Sequence, residues 1–237
     1  RGRLGFGVAS GRAPELVESV LEQHGIEDVD IVIAAVGSEI YYGQERIADQ
    51  GWAAQLQSKW RPDQIRDVLD PIAGLTLQSH EHTQRLFKIS YLIDKRAADE
   101  LIPLIHQNLK GHKIAYSLIY SHGAFVDILP HKASKGKAIR YFADKWNIPL
   151  AHIATAGDSG NDRDMLTGKT AGIVVGNYAA ELAPLRQAKK TGVYFADGHF
   201  ADGIVEGLHF HRFIDERSDN SGMTEDRYAE TPNMAAT

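Results

Sequence analysis

The chain opens on a short apolar run, Leu4 to Ser10, closed by Ser10-Gly11-Arg12, after which Val17, Val20 and Leu21 recur at helical spacing between Ala13 and His24. Strand, tight turn and helix are expected there. Ile31 to Val36 is a continuous apolar run closed by Gly37, the pattern of a strand buried on both faces. Beyond residue 130 the alternation resumes. Ser134 to Trp146 predicts a helix, Ala151 to Ala156 a strand, Asn161 to Leu166 a short helix and Ala171 to Val175 a strand. Tyr178 to Leu185 follows as a helix, Gly192 to Phe195 as a strand and His199 to Phe213 as the last helix. Strands alternating with helices imply an α/β, doubly wound, Rossmann-like core built on a parallel sheet.

The middle of the chain has a different texture. Arg46 to Trp60 and Pro62 to Leu69 predict helices, Gln84 to Ile93 a strand and Lys95 to Leu109 a helix. Lys113 to Tyr120 and Ala124 to Leu129 predict strands joined by the turn Ser121-His122-Gly123. Along LFKISYLI, Phe87, Ile89 and Tyr91 share one face and Lys88 and Ser90 the other, so one face packs and one can meet a solute. An α+β insert over 44–125 is therefore expected inside a core made of 1–43 and 126–217. The polar stretch 218–237 has few large apolar residues and is set outside the fold as a disordered tail.

Composition narrows the chemistry. The 237 residues carry a formal net charge of −5, which argues against a basic field for nucleic acid or an anionic membrane. Cysteine is absent, so disulfides, thiolate nucleophiles and thiolate-bound zinc are excluded, and a cytoplasmic location fits. No apolar run approaches the roughly twenty residues of a membrane-spanning helix. A small polar partner is expected.

Two polar clusters sit where a strand gives way to a helix, SGR at Ser10 to Arg12 and GDSGND at Gly157 to Asp162. Ligands of open parallel sheets bind beyond the carboxyl ends of the strands, so both clusters should face one crevice. Ser10 offers a hydroxyl, and the N–H groups of Gly11 and Arg12 would open a helix whose positive end suits an anion such as phosphate. Taken alone, a serine at this place is more commonly an N-cap. Asp158 and Asp162 are hard oxygen ligands of the kind magnesium takes alongside waters and a phosphate oxygen, or else helix caps. HKASKGKAI, from His131, puts Lys132, Lys135 and Lys137 at a helix amino terminus, where lysine is disfavoured unless it meets an anion. Lys135, beside Gly136, is expected to turn inward.

Serine, inward lysine and a carboxylate pair, in this order around a βα sheet, resemble the haloacid-dehalogenase-like phosphohydrolases up to Phe213. Within them, VGSEIY (Val36 to Tyr41), FKISYLID (Phe87 to Asp94), VDILPHKASKGKA (Val126 to Ala138) and AGDSGND are similar to the sucrose-phosphate phosphatases. The same domain type is fused behind the synthase in bacterial sucrose-phosphate synthases. The resemblance implies a magnesium-dependent hydrolase of a sugar phosphate, sucrose 6-phosphate first, in which an aspartyl phosphate forms and is then hydrolysed. It assigns Ser10, Gly11, Arg12, Lys135 and Asn161 to the phosphate and Asp158 and Asp162 to Mg2+. Ser10, Lys135 and Asp162 carry the catalytic roles, and Lys88 and Ser90 meet the sugar from an α+β cap. Glu39, Tyr42 and His122 are weaker cap or hinge candidates, and His122 reads better as an exposed hairpin residue.

The family's nucleophile motif, D-x-D-x-[TV], must precede SGR on the central strand, and only Arg1-Gly2-Arg3 precedes Leu4. Asp28-Val29-Asp30-Ile31-Val32 matches the motif formally, yet those carboxylates lie at the amino end of a strand, away from the crevice. A chain lacking its first core strand, and inactive alone, is therefore expected. The alternative is a non-catalytic phosphatase-like module, fused to or associated with a sucrose-phosphate synthase glycosyltransferase domain, that binds sugar phosphate or regulates.

Overall fold

The computed structural model describes residues 4–188 and 192–214; the expected tail at 218–237 lies outside them. In chain order come β1 (Gly7–Ala9), α1 (Pro14–Gln23), β2 (Ile31–Ala34), β3 (Glu39–Tyr42), β4 (Ile47–Ala48), α2 (Gln50–Gln57) and α3 (Pro62–Leu69). Then follow β5 (Thr76–Leu77), β6 (Ile89–Leu92), α4 (Ala98–Gly111), β7 (Tyr116–Ser121) and β8 (Phe125–Pro130). The chain continues through α5 (Lys135–Lys145), β9 (Ala154–Gly157), α6 (Arg163–Leu166), β10 (Ala171–Val174), α7 (Ala183–Gln187), β11 (Val193–Phe195) and α8 (Phe200–Phe210). Among the described residues, no helix is long and apolar enough to cross a membrane.

Three sheets result among the described residues. β1 pairs parallel with β2, whose other edge takes the antiparallel β3 and then β4. β9, β10 and β11 form a parallel sheet in the order β11-β10-β9. The antiparallel sheet of the insert runs β5-β6-β8-β7. The core is thus doubly wound with an inserted α+β cap, as the alternation of strands and helices implied. β8 carries the antiparallel sheet through Pro130.

Local chemistry explains the boundaries. Pro14 and Pro62 open α1 and α3, where the missing N–H costs nothing. The run expected as a strand to Val36 stops at Ala34, because Ala35, Val36 and Gly37 swing into a single 3-10 turn with positive φ at each residue. Arg46 to Trp60 is not one helix. Arg46 takes a left-handed φ of 51°, Ile47 and Ala48 pair with β3, and the helix begins only after Asp49, whose carboxylate accepts the Trp52 N–H at 3.0 Å. The β7–β8 turn is tight, with φ of 52° at His122 and 69° at Gly123, a combination that favours glycine in a hairpin. The main core is continuous from Ile33 and Ile40 through Trp52, Leu56 and Tyr91 to Leu166 and Leu182, so core and cap share one apolar interior.

β1 and β9 are both edge strands of their sheets. Among the described residues β1 pairs only with β2 and β9 only with β10. Both strands deliver their carboxyl ends to the same cavity.

Candidate active site

A cavity of about 630 Å3 lies between the carboxyl ends of β1 and β9 and the cap sheet. That volume is within the range of small-molecule sites. Ser10, Gly11 and Arg12 line it from one side, Asp158, Asn161 and Asp162 from the other, Lys135 from below and Lys88 and Asp127 from the cap. The structure brings the two expected polar clusters to one crevice.

Lys135 turns inward. Ser134 caps α5 by accepting the Lys137 N–H at 3.1 Å, which aims the first turn at the cavity. The Lys135 ammonium donates to Asp162 Oδ1 at 2.6 Å and to Asn161 Oδ1 at 2.8 Å. Lys137 points elsewhere, donating to the His131 carbonyl at 2.7 Å and Ser117 Oγ at 3.1 Å.

Asp162 and Asp158 differ in kind. Asp162 is buried, and while Oδ1 serves Lys135, Oδ2 accepts the N–H groups of Asp158 at 3.0 Å and Ser159 at 3.2 Å. Both of its oxygens are therefore occupied in building the loop. The Asp158 carboxylate is half-buried, lines the cavity and has no hydrogen bond or ion pair among the described residues. Two carboxylates on a short loop do not make a closed protein cage, and no group of three metal-binding side chains occurs among the described residues. That donor set fits magnesium, which keeps waters and takes substrate phosphate oxygens beside one or two carboxylates.

Ser10 is not the N-cap of α1, which falls at Ala13 without a side-chain bond. Its Oγ accepts the Arg12 N–H at 3.1 Å. The expected use of the Gly11 and Arg12 amides as helix-opening groups is corrected accordingly: α1 begins at Pro14, and the Arg12 amide is already engaged. The Ser10 hydroxyl retains its proton for a ligand in the cavity it lines.

On the cap, Lys88 is buried, with Nζ 3.7 Å from Asp127 Oδ1 and 3.5 Å from the Gly11 carbonyl. Ser90, its partner on the expected solute-facing side, is fully buried and does not line the cavity. It donates to Asp127 Oδ1 at 2.5 Å and positions that carboxylate instead. Asp127 went unrecognised in the sequence. The signal was there, because a carboxylate inside the apolar strand Phe125-Val126-Asp127-Ile128-Leu129 needs a buried partner. Gln78, His82 and Thr83 also line the cavity from a loop with no periodicity to reveal it.

The weaker candidates separate. His122 lines the cavity from the hairpin tip while remaining exposed, edge-on to Phe125. Glu39 lies outside it and accepts Arg85 Nε at 2.7 Å and Nη2 at 2.9 Å, while Arg85 Nη1 reaches Glu15 at 3.2 Å. Those bonds from Glu39 raise the Arg85 pKa against the opposing effect of burial, and they tie the cap loop to the core. Tyr42 donates to Asp49 at 2.6 Å, also away from the cavity. Asp30, at the amino end of β2, accepts the Phe6 N–H at 2.8 Å and takes no part in the site.

Comparison with known proteins adds the decisive observation: residues 1–212 match the sucrose-6F-phosphate phosphohydrolase family. The chain belongs to that family. It is similar to sucrose-phosphatase 1 of Nicotiana tabacum, 33% identical over 211 residues that cover 85% of this chain and 49% of the relative. It is also 30% identical over 200 residues to the mannosylfructose-phosphate phosphatase of Agrobacterium fabrum, covering 84% of this chain and 79% of that one. Among solved structures, the sucrose-phosphatase of Synechocystis sp. in complex with sucrose and phosphate superposes with a TM-score of 0.81 at 30% identity, over 88% of this chain and 84% of the other. The chain spans about half the length of the tobacco relative it matches.

Proposed function

We propose that this chain forms the phosphate, metal and sugar sides of a magnesium-dependent phosphomonoester hydrolase acting on sucrose 6-phosphate. One observation carries the reading: the Asp158 carboxylate, unpartnered among the described residues, faces the same cavity as the Ser10 hydroxyl and the buried Lys135 ammonium. Relatives named as phosphatases favour hydrolysis over the non-catalytic alternative of a module attached to a glycosyltransferase.

Ser10 and Lys135 meet the phosphoryl oxygens and stabilise the charge they gain as the ester bond breaks. Asn161 holds the Lys135 ammonium, and Asp162 fixes the loop that presents Asp158. Asp158, with Asp162 behind it, would hold Mg2+, which supplies charge neutralisation at the phosphate. Lys88 and Asp127 offer a paired donor and acceptor to sugar hydroxyls, and Ser90 serves them by fixing Asp127. The cap shields the reacting phosphate from water.

An attacking carboxylate is also required, and the cavity's own carboxylates are committed. Asp127 is bonded to Ser90 and Asp162 to Lys135, and Asp158 faces the metal position. The two open edges, β1 and β9, support a further parallel strand between them, whose carboxyl end would bring a nucleophilic aspartate between Ser10 and Asp158.

A substrate panel tests the reading. The complete protein should favour sucrose 6-phosphate over glucose 6-phosphate by at least about a hundredfold in kcat/KM, since a site built to pair with sugar hydroxyls rejects a ligand lacking them. Equal rates on both, or a preference for mannosylfructose phosphate, would reassign the sugar.

A further inference from the structure

One carboxylate joins the cap hairpin to the loop that carries Asp158. Glu181 stands in the 3-10 turn ahead of α7, on the core. Its Oε1 accepts the Gly123 N–H at 3.0 Å, and its Oε2 accepts the Gly160 N–H at 2.9 Å. Gly123 closes the β7–β8 turn beside His122, which lines the cavity from the cap. Gly160 lies between Asp158 and Asp162. One amide belongs to the β7–β8 hairpin and the other to the Asp158 loop, each next to residues that line the cavity.

The approach is close as well as bonded. A Cβ on Gly160 would lie 2.6 Å from the Tyr120 carbonyl oxygen of β7 and 2.8 Å from Glu181 Oε2. The cap strand therefore rests on the loop backbone with no room for a side chain. Only a carboxylate gives two acceptor oxygens and no donor, as two facing N–H groups require. A glutamine in the same place would keep one bond and turn its own N–H2 toward the other amide.

We propose that Glu181 is a positioning residue that sets the cap hairpin against the Asp158 loop, fixing the distance between the sugar-facing and metal-facing walls. It touches neither substrate nor metal and acts through Gly123 and Gly160. The proposal rests on reading the cavity as a sugar-phosphate site.

Hydrogen exchange combined with kinetics on the complete protein tests it, with Glu181→Gln as the variant. The Gly123 and Gly160 amides should both exchange faster, by roughly tenfold or more, while the amides of α5 stay unchanged. With sucrose 6-phosphate, KM should rise roughly tenfold, while turnover of p-nitrophenyl phosphate, too small to reach the hairpin, should stay within about twofold. Unchanged exchange at Gly123, or an equal loss on both substrates, overturns the proposal. In the unaltered protein the same coupling is read as urea rises below the unfolding transition: the two amides should open together, and separate openings also overturn it. If the unaltered protein ignores sucrose 6-phosphate, the reading of the site fails, while the exchange result still decides the role of Glu181.

Discussion

Lys135 Nζ lies 2.6 Å from Asp162 Oδ1, with each side chain only 5% exposed. A buried ammonium needs a charged partner, and Asn161 alone does not neutralise it. Asp162→Ala should therefore cost about 3 to 5 kcal/mol of stability, because it strands a charge in the interior. Urea unfolding measures this, and Asp162→Asn should also be clearly destabilising, because it removes the same charge and turns an N–H2 toward either Lys135 or the Asp158 and Ser159 amides.

Asp158 should behave in the opposite way. Its carboxylate has no partner among the described residues and is half-buried, so Asp158→Asn should leave stability within about 0.5 kcal/mol of the original. In the complete protein the same substitution should abolish magnesium-dependent phosphate release. A melting curve and a phosphate assay on one preparation separate stability from chemistry.

Gly37 connects the core hairpin to the phosphate side of the site. Its φ is +88°, and a Cβ there would lie 2.3 Å from the Ser134 carbonyl carbon and 2.5 Å from the Lys135 nitrogen. Gly37→Ala should destabilise by about 2 to 4 kcal/mol through left-handed strain and overpacking. Because the clash falls on Ser134 and Lys135, inorganic phosphate should also bind more weakly, as titration calorimetry would detect.

Asp49 gives the fold a pH signature. Burial alone would raise its pKa, but hydrogen bonds from Lys145, Tyr42, the Trp52 N–H and Tyr141 outweigh it and bring the pKa to about 2. The folded carboxylate stays ionised where the unfolded one, near 3.9, takes up a proton, so its contribution is complete above about pH 5 and fades as pH falls toward 2. The stability gap between the unaltered protein and Asp49→Asn should therefore be widest at neutral pH and shrink between about pH 4 and pH 2. Denaturant titrations at several pH values measure the gap, and a gap that widens on acidification contradicts the assignment.

Much of this was legible in the sequence because it follows from period and spacing. The apolar runs at Leu4 and Ile31, the lysine at a helix start and the glycine-rich GDSGND loop all announce strands, turns and charges whose placement backbone geometry constrains. What escaped depends on partners distant along the chain. β3 was hidden because EIYY has no period of its own and pairs with β2 through a turn set by Ala35 and Val36 at positive φ. Ser90 shares a strand face with Lys88 as alternation implies, but only the cross-strand Asp127 shows where its hydroxyl goes. Spacing pairs Asp162 with Asp158 but does not show that its Oδ1 meets Lys135 and its Oδ2 the Asp158 amide. Glu181 carried no local signal, and its importance lies in two amides far from it in sequence.

Phosphate release from sucrose 6-phosphate by the complete protein, followed with magnesium and again after its removal by a chelator, bears on the whole site at once. Turnover should require magnesium, return when the metal is restored, and be absent from Asp158→Asn. Hydrolysis that persists without metal would contradict the assignment of Asp158.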